Sequence, residues 1–110
     1  MEIIKRKKTS TCTDGTVVYE YTMSEPVHQI FIDILERFGQ VKKRKLGGLV
    51  MFTFQRDDWY TLKGISDDSI FYVTYPKTDS HAAEEFINTL VAAYNKEFRE
   101  TVLKKSYDEK

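Results

Sequence analysis

The residues best suited to catalysis or metal binding are few and scattered along the chain. His28 and His81 are the only imidazoles, Cys12 is the only thiol, and their spacing matches no metal-ligand or Cys–His catalytic pattern. The acidic pairs Asp57-Asp58 and Asp67-Asp68 are typical of turns, and the strand predicted between them separates them by about 20 Å. The sequence therefore predicts no catalytic residue, no metal site and no cofactor, and it favours a protein that is not an enzyme.

Cationic residues are more suggestive because they are clustered. The runs Lys5–Lys8 and Lys42–Lys45 contain eight of the 17 Lys and Arg residues, although the formal net charge is zero. A neutral chain has no general attraction for polyanions, so nucleic acid or another anionic ligand must be held by a local patch. The alternative is that each run is a solvated strand whose lysines discourage edge-to-edge pairing.

Two segments with helical periodicity must help to position these residues. The first is predicted from an N-cap at Ser24 to a stop at Gly39. The second is predicted from Ser80 to Lys105. Their apolar stripes are Val27, Ile30, Phe31, Ile34, Leu35 and Phe38 in the first, and Ala83, Phe86, Ile87, Leu90, Val91, Tyr94, Phe98 and Val102 in the second.

Elsewhere the apolar residues alternate with polar ones, as in strands. Short turns, such as the hairpin signal Asp14-Gly15, separate these segments and indicate antiparallel neighbours. The predicted order is β-β-α-β-β-β-β-α. The six strands are predicted at about 2–10, 15–22, 40–46, 49–55, 59–64 and 69–75.

Because each helix has one apolar stripe, both are expected on one face of a single antiparallel sheet, an α+β two-layer sandwich. A length of 110 residues with 14% aromatic residues, 5 Gly and 2 Pro fits one globular domain and excludes a disordered chain. Residues 106–110 are expected to form a frayed tail. No apolar run approaches the roughly 20 residues of a membrane span, and a cytoplasmic protein is expected.

The element order over residues 16–104 resembles the half-repeat of the TATA-box-binding protein fold. It also resembles a small archaeal family of uncharacterised proteins with that architecture. The TATA-box-binding protein kinks DNA with paired phenylalanines on the open face of a doubled sheet. This chain has one half-repeat and no such pair, so the resemblance implies a fold and not a set of binding residues.

The sheet face without helices, the open face, is the predicted functional surface. Leu49, Met51, Trp59, Ile70 and Tyr72 would form an apolar patch there, of the size that marks an interaction surface. Rings on such a face stack bases while neighbouring cations contact phosphates. The sequence thus predicts a binding module for nucleic acid or another anionic ligand. The candidate binding residues are Met51, Trp59, Tyr72, Lys42, Arg44 and Lys63.

Two alternatives use the same fold. The open face could instead be buried in a homodimer, since a twofold interface needs only a self-complementary patch. A small molecule could also bind between the helices and the sheet, where phenols point inward. That alternative requires hydroxyls lining a cleft, whereas rim tyrosines with hydroxyls in water are the ordinary expectation. The inward-facing tyrosines are Tyr19, Tyr21, Tyr60, Tyr75 and Tyr94.

Overall fold

In the computed structural model, six antiparallel strands and two helices form a two-layer α+β sandwich, as predicted. The structure describes residues 1–11, 13–57 and 59–108, with side chains up to residue 98. The sheet order is β1-β2-β6-β5-β4-β3. The elements are β1 (Ile3–Thr11), β2 (Thr16–Met23), α1 (Gln29–Phe38), β3 (Gln40–Leu46), β4 (Leu49–Arg56), β5 (Tyr60–Ile65), β6 (Ile70–Pro76) and α2 (Ser80–Asp108).

One hydrophobic core lies between the helices and one face of the sheet. Alternate residues of the central strands enter it, and the helices meet them with most of the predicted apolar stripes. Ile32 of α1 is fully buried although it was not in the predicted stripe, whereas Phe98 of α2 is 36% exposed. The side chain of Val102 lies outside the described residues. The largest fully buried side chains are Tyr21, Tyr60, Tyr75, Tyr94, Phe31, Phe52, Phe54, Phe71, Ile32, Ile34, Leu35 and Leu62. Burial on this scale leaves the opposite face of the sheet to solvent.

The β1–β2 hairpin turns at Asp14 and Gly15. Gly15 has a φ of +88°, a backbone conformation that glycine adopts without steric cost. The Asp14 carboxylate accepts hydrogen bonds from the Thr16 backbone N–H and hydroxyl. The Thr16 hydroxyl and N–H lower the pKa of Asp14 because they stabilise its charged form. Cys12, in the same connection, lies outside the described residues.

The first helix begins four residues later than predicted, with His28 at the N-cap position, and the expected N-cap at Ser24 is wrong. Residues 24–28 are not helical, and the backbone of Val27 pairs with Asp67 and Asp68 in the β5–β6 turn. Pro26 contributes to this outcome because a residue that precedes proline disfavours the helical conformation. Ser24 instead binds Glu2, whose N–H donates to the Ser24 hydroxyl.

The second helix begins at Ser80, as predicted, after a short 3-10 turn over Lys77–Asp79. It continues to Asp108, through part of the segment expected to be frayed, and residues 109 and 110 lie outside the described residues. Among the described residues, neither helix combines the length and apolar character that a membrane span requires.

Candidate binding face of the sheet

The open face is organised in cross-strand rows, because directly paired residues of antiparallel strands point to the same side of a sheet. One row crosses all six strands. From β3 to β1 it contains Lys42, Thr53, Lys63, Tyr72, Glu20 and Lys7. Adjacent strands are about 4.8 Å apart, so the row is about 24 Å long. It therefore has a cation at each end and one near the middle.

A second row adds apolar surface and further cations. At the β3 side, Arg44 pairs with Met51, and Met51 pairs with Ile65 of β5. At the β1 side, Thr22 of β2 pairs with Ile70 of β6 and with Lys5 of β1. Between the rows lies a shallow depression of about 190 Å³. Its lining on this face includes Met51, Thr53, Lys63, Ile65, Ile70 and Tyr72, and Asp68 of the β5–β6 turn also lines it.

Charge is strongly segregated between the strands and the rest of the chain. The six strands contain ten of the 17 Lys and Arg residues but only one of the 17 Asp and Glu residues, Glu20. Five of the ten strand cations face the open side, and among the residues that the structure describes none of the five forms an ion pair. They are Lys5, Lys7, Lys42, Arg44 and Lys63.

Strand cations on the helix-covered side have different surroundings. Arg6 forms an ion pair with Glu84 of α2 and lies 4.6 Å from the centre of the Tyr19 ring. Arg56 lies 4.5 Å above the Phe86 ring of α2. The two basic runs thus divide by alternation. Within the described residues, the half of each run that faces the open side forms no ion pair, whereas the half on the helix-covered side has one paired cation, Arg6 or Lys43, and one without an ion pair, Lys8 or Lys45.

Both basic runs also occupy the edges of the sheet, because β1 and β3 are its outermost strands. Lys43, within the second run, pairs with Glu36 of α1 at 2.5 Å. Lysines on an edge strand discourage pairing with another sheet, so this arrangement agrees with the second explanation of the runs. The two explanations are compatible, since alternate residues of one strand point in opposite directions.

Glu20 and Tyr72 form a polar pair within the open face. The Tyr72 hydroxyl donates to a Glu20 carboxylate oxygen at 3.2 Å across the β2–β6 pair. This hydrogen bond, together with the carboxylate charge, raises the pKa of Tyr72 above its ordinary value. The raised pKa keeps the phenol protonated at neutral pH. Tyr72 is 44% exposed, so part of its side chain is accessible to a ligand.

The prediction that Trp59 lies on the open face is wrong. Its ring packs against Tyr60 and against Phe86 of α2, on the helix-covered side. The strand β5 begins at Tyr60, and Trp59 lies in the preceding turn. Strand alternation does not extend into a turn, so it gives no valid direction for this side chain. The apolar patch loses its largest predicted member.

The other five candidate residues lie on the open face. In the first row, Lys63 is directly opposite Tyr72, and Lys42 is at the β3 end. Arg44 is opposite Met51 in the second row. Met51 is 41% exposed. The exposed pair Leu46 and Leu49 extends the apolar surface at the end of the β3–β4 hairpin.

Sequence reasoning did not include Lys5 and Lys7 among the binding residues. The alternation of side chains within the first basic run could have indicated that these two lysines face the open side, given the pairing of β1 with β2. However, the pairing has irregularities between Ile3 and Lys5 and between Lys8 and Ser10. Such bulges shift the direction of the side chains that follow, so alternation alone could not assign a face to these lysines.

The expectation that the inward tyrosines reach water at the core rim is wrong for four of the five. The hydroxyls of Tyr21, Tyr60, Tyr75 and Tyr94 are buried and have no hydrogen-bond partner of good geometry in the described part of the chain. Burial raises the pKa of each of these phenols. A depression of about 130 Å³ beside Tyr21 and the Arg6–Glu84 pair is the nearest opening.

No group of three or more His, Cys, Asp and Glu side chains comes together to hold a metal ion in the described ranges. Comparison of the chain with family models, curated proteins and solved structures found no match. The resemblance to the TATA-box-binding protein half-repeat and to the archaeal family therefore stays a prediction. Arguments about function rest on the geometry of the open face.

Proposed function

We propose that the protein is a binding module for single-stranded nucleic acid, which lies across the open face of the sheet. The observation that carries the proposal is the segregation of charge. Five cations on this face have no carboxylate partner in the described structure, whereas Arg6 and Lys43 on the other side are paired. Unpaired cations on an exposed face are available to neutralise phosphates, and the counterions released give the binding energy.

The spacing of the cations supports an extended ligand. Lys42, Lys63 and Lys7 lie along one row about 24 Å long. A flexible single strand can follow such a row and place phosphates near each of the three amines. A compact anion would reach only one of them, so the array favours a polymer over a small anionic ligand.

Single strands are favoured over a duplex because the face also offers apolar surface. The accessible Tyr72 ring and the depression beside Met51 can receive an unpaired base. Stacking on an aromatic side chain contributes about 1–3 kcal/mol per base. A duplex keeps its bases stacked within the helix and cannot use this surface.

The charge pattern weighs against the homodimer alternative. A twofold contact through the open face would bring two sets of five cations together, and the carboxylates of Glu20 and of Asp68, which lines the depression, are fewer than these cations. Like charges opposed in an interface are destabilising. The small-molecule alternative retains one supporting feature, the buried hydroxyls of Tyr21, Tyr60 and Tyr75, but the depression beside Tyr21 is not lined by Tyr60 or Tyr75.

The proposal is tested by measuring the affinity for a labelled single-stranded oligonucleotide of mixed sequence at a series of salt concentrations. The test variant Lys42→Ala/Arg44→Ala/Lys63→Ala removes three open-face charges. The control Lys8→Ala/Lys43→Ala/Lys45→Ala removes three charges that face the helix-covered side, two from β3 and one from β1, the opposite edge strand. The three control lysines pair with Tyr19, Phe52 and Val50.

For a single strand, a plot of the logarithm of the binding constant against the logarithm of the salt concentration has a slope of about −0.7 for each phosphate that the protein neutralises. The open-face variant is therefore expected to lower the magnitude of this slope by about 2, and the control is expected to keep the parent slope. Equal slopes for the two variants, or no binding by the parent protein at low salt, would overturn the proposal. A mass above one subunit across a concentration series would favour the homodimer instead.

A further inference from the structure

Glu20 is out of place on a surface that serves only to attract phosphates. It is the single acidic residue in the six strands, and it lies between Lys7 and Tyr72 in the first row, which crosses all six strands. A carboxylate at this position repels phosphate and weakens the binding of any polyanion. No ion pair joins it to Lys7 or Lys63 in the described part of the chain, so it does not serve to neutralise either lysine.

The Tyr72 hydroxyl gives this carboxylate a defined position. It donates to one carboxylate oxygen at 3.2 Å, which leaves the second oxygen and the remaining lone pairs available to other donors. Directly opposed side chains on adjacent strands start about 5 Å apart. A base stacked on the Tyr72 ring would therefore have an edge within reach of Glu20.

We propose, on the basis of the proposed function above, that Glu20 selects the base that stacks on Tyr72. A carboxylate can only accept hydrogen bonds, so it favours bases with an exocyclic amino group. Cytosine presents such a donor at N4, and carboxylates accept from it. Thymine and uracil present a carbonyl oxygen at the same position, which a carboxylate repels. The expected ligand is thus a single strand that contains cytosine, or another amino base, at this position.

The test compares oligocytidylate and oligothymidylate DNA of the same length, at mildly alkaline pH where cytosine is neutral. The parent protein, Glu20→Gln and the control Glu85→Gln are each titrated with both oligonucleotides. Glu85 is an exposed carboxylate near the start of α2, where it pairs with His81. Both substitutions remove one negative charge and change the net charge equally. A difference between the two variants therefore reports the position of the Glu20 carboxylate.

The parent and the Glu85→Gln variant are expected to prefer oligocytidylate by about 5- to 150-fold, the range that corresponds to 1–3 kcal/mol for a well-placed base contact. Glu20→Gln is expected to bind oligothymidylate more tightly and to lose most of the preference. Equal affinity of the parent for both oligonucleotides, or an unchanged preference in Glu20→Gln, would overturn the selection by Glu20 and leave the proposed function standing. No binding of either oligonucleotide would overturn both.

Discussion

The two faces of the sheet are built from the same strands but have opposite chemistry. On the helix-covered face, Phe52, Phe54 and Phe71 are buried against the helices, and Arg6 is paired with Glu84. On the open face, Tyr72 and Met51 are more than two-fifths exposed, and the cations are without carboxylate partners in the described structure. Stability and the proposed binding are therefore expected to be separable, because they use alternate residues of each strand.

The largest effect expected from this comparison concerns two adjacent residues of β6. Phe71 is fully buried and stacks on Tyr21 and Phe31, whereas Tyr72 faces solvent. Phe71→Ala is expected to lower the free energy of unfolding by about 3–5 kcal/mol. Tyr72→Ala is expected to lower it by about 1 kcal/mol at most. Chemical denaturation of both variants measures the difference, and similar losses would contradict the assignment of the two faces.

A smaller effect is expected at Gly64, the β5 residue that faces the core. A Cβ atom there would lie 2.9 Å from a ring carbon of Phe52 and 3.1 Å from the Cβ of Phe71. Overpacking of this kind costs typically about 1–3 kcal/mol, so Gly64→Ala is expected to be destabilising by that amount. At Gly48, in the β3–β4 turn, a Cβ meets nothing within 4 Å.

Gly48→Ala is therefore the matched control, with an expected change of about 0.5 kcal/mol or less. The two variants are compared by chemical denaturation under the same conditions. Equal stability of the Gly64 variant and the parent would mean that β5 is not packed closely between Phe52 and Phe71.

The last contrast concerns affinity and not stability, and it compares Trp59 and Tyr72, the two rings that the sequence predicted on one face. Trp59→Phe keeps an aromatic contact with Phe86 and is expected to leave oligonucleotide affinity unchanged. Tyr72→Ala is expected to weaken binding by about 5- to 150-fold, through the loss of about 1–3 kcal/mol of stacking. Titration of both variants with one single-stranded oligonucleotide makes the comparison. A loss of affinity confined to the Trp59 variant would move the binding site to the helix-covered side.

Alternation predicted the core well because the central strands are regular. Phe52, Phe54, Leu62 and Val73 all point to the face that their spacing indicates, and the element order is as predicted. A period of two is a strict geometric consequence of an extended backbone. The same alternation puts Glu20 on the open face, since its neighbour Tyr21 is buried on the other.

The errors fall where the backbone departs from regular geometry. Trp59 lies in a turn, the lysines of β1 lie between bulges, and α1 begins late because Val27 hydrogen bonds to the β5–β6 turn. Each departure depends on a partner distant in the chain, which a local pattern does not contain. The burial of the Tyr60 hydroxyl depends in the same way on the packing of α2.

The most direct test of the central claim is to measure the acetylation of each lysine by mass spectrometry, with and without a single-stranded oligonucleotide. The contrast needs no substitution, because neighbours such as Lys42 and Lys43 face opposite sides. Binding across the open face is expected to lower the reactivity of Lys7, Lys42 and Lys63 and to leave that of Lys43 unchanged. Equal protection of Lys42 and Lys43, or protection of Lys43 alone, would contradict the account.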